Sequence, residues 1–101
     1  MVKDIIWTEF ASKELKNIYE YYKVRAGMSV AKKIKSKIFE STKNLSEQPL
    51  MGQIEENLKS LNQHHRYIVE VNYKIIYFVD TNTVYITDVF DCRQNPEKMK
   101  R

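Results

Sequence analysis

The carboxyl-terminal third of this 101-residue chain contains three β-strand patterns separated by short connections. The segments 66–71 (RYIVEV), 73–79 (YKIIYFV) and 84–91 (VYITDVFD) are rich in β-branched and aromatic residues, which favour strands. Only Asn72 separates the first two segments, and residues 80–83 form the turn between the second and third. Connections this short join antiparallel neighbours. The pattern therefore predicts a three-stranded antiparallel meander.

A strand and a first helix are predicted ahead of the meander. Residues 2–7 contain enough β-branched and aromatic side chains for a strand, and Thr8 is suited to cap a helix that follows it. Four residues then recur at spacings of four, three and four, which places them on one apolar stripe: Ala11, Leu15, Ile18 and Tyr22. We expect this stripe to face the core.

A second helix is predicted over residues 30–46, folded back antiparallel on the first. Gly27 is typical of a helix end and Ser29 of a new cap, so residues 24–28 should form a tight connection. One side of the second helix should bear its apolar residues Val30, Ile34, Ile38 and Leu45, together with Ser41.

Phe39 lies at the edge of that apolar side, about 100° from Ile38 around the helix axis. Exposed among lysines, it would be a docking point for a partner; packed under the first helix, it would be part of the core.

Both faces of the predicted meander are apolar. Tyr73, Ile75, Tyr77 and Val79 form one face, and Lys74, Ile76, Phe78 and Asp80 form the other. One helical hairpin covers only one face, so we expect another chain to cover the second face or a sheet edge.

Size and composition indicate a single domain, residues 1–101. No apolar run approaches the roughly 20 residues that span a bilayer, and no leader pattern precedes the domain, so we expect a soluble, cytoplasmic protein with no membrane partner. One cysteine, Cys92, excludes an internal disulfide, and its spacing to the two histidines matches no zinc site. The sequence therefore predicts neither metal nor cofactor.

Basic residues are concentrated in the predicted hairpin, although the net charge of the chain is only +4. Between residues 13 and 43 there are nine Lys or Arg (13, 16, 23, 25, 32, 33, 35, 37 and 43) against three Glu (14, 20 and 40). This excess favours a polyanion or an acidic protein as partner, or else forms a solvated surface that keeps the protein soluble.

Four segments in this order resemble toxins of the RelE/ParE superfamily of bacterial type II toxin–antitoxin systems. They are residues 6–8 (IWT), 48–52 (QPLMG), 73–77 (YKIIY) and 88–96 (DVFDCRQNP). The resemblance covers nearly the whole chain and implies an α+β fold of order β-α-α-β-β-β, in which a helical hairpin packs on a mainly antiparallel four-stranded sheet. We expect the core to contain Leu15, Ile18, Tyr22, Ile34, Ile38, Ile75, Tyr77 and Val79.

The RelE-like branch of this superfamily cuts messenger RNA on the ribosome without a metal. Such chemistry needs cations and proton-transfer groups around the reacting phosphate. The resemblance implies that Arg66, Lys74 and Arg93 are the catalytic cations, and the strand ends are expected to bring them to one surface. The alternative is structural, with Arg66 and Lys74 paired across adjacent strands to Glu70, Asp88 or Asp91.

The carboxyl terminus departs from that branch, because no Tyr or His follows Arg93 to donate a proton. His64 and His65 are weak replacements, since nothing in their spacing orients either ring. Asp88 shares its predicted strand face with Val84, Ile86 and Phe90, where a carboxylate requires a partner.

Three functions therefore remain open at this point. The first is a growth-inhibiting toxin, of the plasmid-stabilisation type, that acts by binding DNA gyrase as the ParE branch does. The second is a ribosome-dependent mRNA endoribonuclease (an mRNA interferase). The third is a binding module without toxicity. All three imply an acidic, partly disordered antitoxin as partner, in a toxin–antitoxin hetero-oligomer.

Overall fold

The computed structural model describes residues 2–99 and contains two long helices and five strands. The helices are α1 (Glu9–Ala26) and α2 (Met28–Lys43), and the strands are β1 (Asp4–Trp7), β2 (Gln53–Ile54), β3 (Arg66–Glu70), β4 (Tyr73–Asp80) and β5 (Thr83–Asp91). Three 3₁₀ turns complete the fold: Asn44–Ser46, Glu56–Leu61 and Pro96–Met99. None of the helices in this part of the chain has both the length and the apolar character needed to cross a bilayer.

The strands form one sheet in the order β1-β5-β4-β3-β2. The predicted meander is present, because β3, β4 and β5 pair antiparallel in sequence order. β1 pairs parallel with β5 over Asp4–Trp7, so the first strand lies beside the last. The expected α+β fold is confirmed, but the sheet has five strands instead of four. The additional strand is β2, only two residues long, which lies beside Tyr67 and Arg66.

The helical hairpin starts at Thr8, as predicted. The Thr8 hydroxyl accepts a hydrogen bond from the Ala11 backbone N–H at 3.2 Å and so caps α1. The connection to α2 is shorter than predicted, because α1 continues to Ala26 and Gly27 alone joins the helices with φ 97°. Gly27, not Ser29, precedes the first residue of α2, and this correction reflects the ease with which glycine adopts a positive φ.

The apolar side of α2 is centred on Ala31, Ile38 and Thr42, which are buried. Val30 was predicted to lie on that side, but it is exposed because it is rotated by about 100° from Ala31. Ile34 and Leu45 do lie against the core.

The main core lies between the hairpin and one face of the sheet, as predicted. All eight expected core residues are there: Leu15, Ile18, Ile38, Ile75 and Tyr77 are buried, and Tyr22, Ile34 and Val79 pack against them while partly exposed.

A bulge in β5 changes which side chains share a face. Ile76 pairs with Asp88 while Tyr77 pairs with Ile86, so Thr87 is an extra residue. Ile86 therefore faces the helices, whereas Asp88 lies opposite Ile76 on the other face of the sheet. The predicted grouping of Asp88 with Val84 and Ile86 is wrong for this reason.

The second face of the sheet is covered largely by the chain itself. Ile76 and Phe90 are buried there against Leu58 and Met99, which belong to two of the 3₁₀ turns. These turns supply much of the apolar surface that this face needs, and the expectation that another chain covers this face or a sheet edge stays a prediction.

Candidate functional site

Arg66 begins β3 and holds the loop before β2. Its Nη1 donates to the backbone oxygens of Gly52 at 2.7 Å and Leu50 at 3.3 Å. The loop itself presents Leu50 and Met51 to solvent. Arg66 is thus bonded to backbone carbonyls and fixes the position of an apolar loop.

Tyr77 holds the same loop from the core. Its buried hydroxyl accepts a 2.9 Å hydrogen bond from the Gly52 N–H. Burial raises the Tyr77 pKa, against the opposing effects of the Gly52 N–H and of Arg66. A side chain at position 52 has no room, since a Cβ there would lie 2.6 Å from the Tyr77 hydroxyl and 2.7 Å from the Tyr67 carbonyl oxygen.

Lys74 projects from the opposite face of the sheet. Its Nζ donates to Glu55 Oε1 at 2.9 Å and lies 4.3 Å from the centroid of the Tyr67 ring. Burial raises the Glu55 pKa, but the hydrogen bonds from Lys74 and from Asn57 outweigh it and hold the Glu55 pKa below its ordinary value. The Lys74 ammonium therefore has a close internal counter-charge.

Arg93 follows β5 and forms a two-point ion pair with Asp91. The Arg93 guanidinium donates from Nε to Oδ1 at 3.0 Å and from Nη2 to Oδ2 at 2.7 Å. This pairing lowers the Asp91 pKa and raises that of Arg93. The Arg93 side chain is nevertheless 65% exposed.

Arg93 lines an open cleft of about 290 Å³ between α1 and the end of the sheet. Tyr21 and Tyr73 also line the cleft. Burial and the contact with the Tyr22 hydroxyl, 3.5 Å away, raise the Tyr73 pKa well above its ordinary value.

The two histidines differ sharply in environment. His64 is exposed with φ 55°, whereas His65 is buried with its ring edge-on to Phe78 at a centroid distance of 5.3 Å. Burial lowers the His65 pKa, and the Glu55 carboxylate only partly opposes this. Within residues 2–99, Nδ1 of His65 has no hydrogen-bond partner.

The structure does not bring the three predicted cations to one surface. Arg66 is opposite Tyr77 in the sheet, and Lys74 alternates to the other face. Arg93 lies beside Tyr73. Tyr73 is four residues from Tyr77 along β4, so these two positions of the strand are roughly 13 Å apart. The expected cluster of cations is therefore wrong in its geometry, because strand alternation and register separate its members. Their catalytic roles stay predictions.

A second kind of site lies on the hairpin. Two adjoining depressions of about 350 and 300 Å³ share Lys35 and Phe39. We call this surface the hairpin groove; the residues that define it are Trp7, Lys16, Tyr19, Lys32, Lys35 and Phe39. Phe39 is 44% exposed, as expected for a docking residue, and its ring stacks on Trp7 at 5.9 Å.

Sequence reasoning missed Glu55 as the partner of Lys74 and Asp91 as the partner of Arg93. Asp91 carries a usable signal, because it is the last residue of a strand and stands two residues before Arg93, and an aspartate at the start of a turn often bonds the backbone two residues on. Glu55 gives no comparable signal, because it lies in a polar segment far from Lys74 in sequence. The two side chains come into contact only in the folded protein.

Two comparisons with known proteins agree on the fold. Residues 5–96 match the family model described as the ParE toxin of the type II toxin–antitoxin system parDE. The chain is also similar to a solved structure described as the chromosomal ParDE toxin–antitoxin system from P. aeruginosa. That match has a TM-score of 0.75 and 21% sequence identity, and it covers 89% of this chain and 96% of the other. Among curated proteins, no sequence matches significantly.

Proposed function

The chain belongs to the ParE toxin family of type II toxin–antitoxin systems, and from this membership we propose that it arrests growth by binding DNA gyrase and is neutralised by a cognate antitoxin. The mechanism is inhibition by contact, without a chemical step carried out by the toxin.

One observation supports binding over cleavage: the predicted cations are dispersed and already bonded within the protein. Lys74 and Arg93 each bind a carboxylate, and Arg66 binds two carbonyls. Metal-free cleavage of RNA requires cations and proton-transfer groups positioned together around one phosphate. Internally bonded cations at separate places on two faces do not provide such a site.

Several features of the surface suit a protein partner. The helices carry the concentrated positive charge, and the exposed aromatic Phe39 lies among lysines. The loop with Leu50 and Met51 is apolar, exposed and held by Arg66 and Tyr77. A fixed backbone lowers the entropic cost of ordering an interface.

A supercoiling assay tests the proposal. Purified protein, freed from antitoxin, should inhibit supercoiling of relaxed plasmid by gyrase in proportion to its concentration, and added antitoxin should restore the reaction. Gyrase that remains fully active with a large molar excess of folded protein contradicts the proposal.

The second candidate is cleavage of messenger RNA on the ribosome, and the exposure of Arg93 in the cleft with Tyr21 and Tyr73 favours it. In this case messenger RNA on stalled ribosomes is cut at the aminoacyl site, and Arg66→Ala with Arg93→Ala abolishes cutting. Cutting that persists in this folded double variant contradicts the assignment of those residues. Growth that continues after induction of the chain alone would instead indicate the third function, a binding module without toxicity.

A further inference from the structure

The hairpin groove combines exposed aromatic surface with unpaired positive charge. Its lining includes Lys16, Lys32 and Lys35 and a single carboxylate, Glu40. Glu40 is already paired with Lys43 at 3.2 Å. The three lysines form no ion pair with any residue between 2 and 99, so their charge is available to an outside partner.

The aromatic rings of the groove already have neighbours over their faces. Trp7 stacks on Phe39 with an interplanar angle of 25°. The Lys43 ammonium lies 5.7 Å from the centroid of the Phe39 ring. Lys35 lies 5.4 Å from the Tyr19 centroid. Single-stranded nucleic acids bind by stacking bases on open aromatic faces along an extended track. The groove instead consists of two short depressions whose aromatic rings already have neighbours. It therefore suits individual side chains of a protein better than a run of stacked bases.

Trp7 adds an independent observation at the second depression. Its Nε1 is buried and has no acceptor within the described part of the chain. An unsatisfied buried donor is unfavourable. A partner that places a carboxylate or carbonyl oxygen at this end of the groove, with a small shift of the indole, satisfies it.

From these contacts we propose that the hairpin groove binds an acidic segment of a partner protein. A bulky apolar side chain of this segment packs against Phe39 and Tyr19, and its carboxylates pair with Lys32 and Lys35. The positive charge complements the acidic segment, and the exposed part of Phe39 gives the apolar side chain a surface to bury. The antitoxin is the source of the segment, and this identification alone rests on the proposed function.

The test measures binding of the antitoxin encoded in the same operon by titration calorimetry, at low and at high salt. Phe39→Ala should weaken binding at least about tenfold, because it removes the apolar anchor. Lys35→Glu should weaken binding about tenfold at low salt and reduce its dependence on salt, because a screened attraction has been reversed.

Matched controls come from the same hairpin. Lys37 is exposed and lies about 200° around α2 from Lys35, so Lys37→Glu makes the same charge change away from the groove. Tyr21→Ala removes an exposed aromatic residue of the other cleft. Both variants should bind within about threefold of the parent chain, and circular dichroism should show that all four variants are folded.

Two results overturn the proposal. One is antitoxin affinity of folded Phe39→Ala and Lys35→Glu within twofold of the parent chain. The other is that single-stranded DNA displaces the antitoxin from the parent chain and no longer binds the Phe39→Ala variant. This result would identify the groove as a nucleic-acid surface. These readouts are independent of the supercoiling assay, so failure of gyrase inhibition leaves them interpretable.

Discussion

The Lys74 ammonium donates a 2.9 Å hydrogen bond to a Glu55 carboxylate whose side chain is only 2% exposed. This bond ties β4 to the segment between β2 and the following 3₁₀ turn. The same turn contributes Leu58 to the apolar cluster on the second face of the sheet. The pair therefore links a charged contact to the packing of that face.

Lys74→Met should destabilise the protein by roughly 3 kcal/mol, because it leaves a buried carboxylate without its counter-charge. Lys59→Met is the matched control. Its pair with Glu56, at 3.7 Å, is largely exposed and should contribute less than about 1 kcal/mol. Urea unfolding of both variants checks the difference, and equal midpoints would show that the Glu55 pair contributes little.

Gly52→Ala should destabilise the loop that Arg66 and Tyr77 hold, because the added Cβ meets the Tyr77 hydroxyl at 2.6 Å and a backbone oxygen at 2.7 Å. We expect a loss of about 2 kcal/mol or more, typical of overpacking in a tight site. Tyr77→Phe removes the nearest of three obstacles and leaves the ring carbon Cε1 at 2.9 Å and the backbone oxygen, so the double variant should lose somewhat less than the sum of the single losses. Strictly additive losses would mean that the contacts with the ring carbon and the backbone oxygen dominate.

Val71→Gly should stabilise the protein in spite of the loss of a side chain. Val71 has φ 59°, which a β-branched residue adopts only under strain, and its side chain is exposed. Relief of this strain should contribute about 1 kcal/mol after the larger chain entropy of glycine in the unfolded state is deducted. Val69→Gly, in the neighbouring strand, should destabilise the protein. Thermal melting that shows Val71→Gly to be the less stable of the two would contradict the strain.

Stability should fall as the pH decreases below about 6.5, the ordinary pKa of histidine. Burial lowers the folded-state pKa of His65, so the unfolded chain takes up a proton at a higher pH than the folded protein does. Unfolding is therefore favoured between the two pKa values, with a slope of at most about 1.4 kcal/mol per pH unit for one proton. His65→Gln should remove this slope, whereas His64→Gln, at the exposed neighbouring position, should keep it. Denaturant midpoints from pH 7 to pH 5 provide the measurement.

The titration of Glu55 also lowers the stability of the protein as the pH falls, but over a more acidic range. Its folded-state pKa lies below the ordinary value of 4.5, so the stabilisation is present above that value and is lost as the pH falls through the folded pKa. Glu55→Gln should therefore alter the stability profile below about pH 4.5. It should also extend the His65 slope to lower pH, because it removes the carboxylate that partly opposes the lowering of the His65 pKa.

Leu15→Asp should unfold the protein. Leu15 is buried in the main core between α1 and the sheet. An unpaired buried carboxylate costs several kcal/mol, comparable with the roughly 5 to 15 kcal/mol that stabilises a domain of this size. Lys13→Asp, at an exposed position of the same helix, is the control. A soluble Leu15→Asp variant that melts cooperatively would contradict the placement of Leu15 in the core.

The elements that could be predicted from the sequence are those whose signals are local. The spacing of Ala11, Leu15 and Ile18 fixes the buried side of α1, and the single residue between two strand patterns fixes an antiparallel hairpin. These patterns depend only on helix and strand geometry. Thr8 caps α1 for the same reason, because its hydrogen bond spans three residues.

Features that depend on register could not be read in this way. The extra residue Thr87 exchanges the faces of Asp88 and Val89, and nothing in the order of residues 84–91 reports it. The separation of Arg66 from Lys74 follows from strand alternation once the partners are known. Glu55 reaches Lys74 across 19 positions of sequence, so their pairing is a property of the assembled sheet.

The parallel pairing of Asp4–Trp7 with residues 83–86 has a consequence for synthesis. The first strand leaves the ribosome well before its partner β5, so contacts with a large sequence separation close the sheet. A nascent chain cannot complete its core, or the cleft that contains Arg93, until β5 and the residues that follow it have been synthesised. Until β5 pairs with β1, the apolar side of the helical hairpin therefore lacks part of the sheet on which it packs.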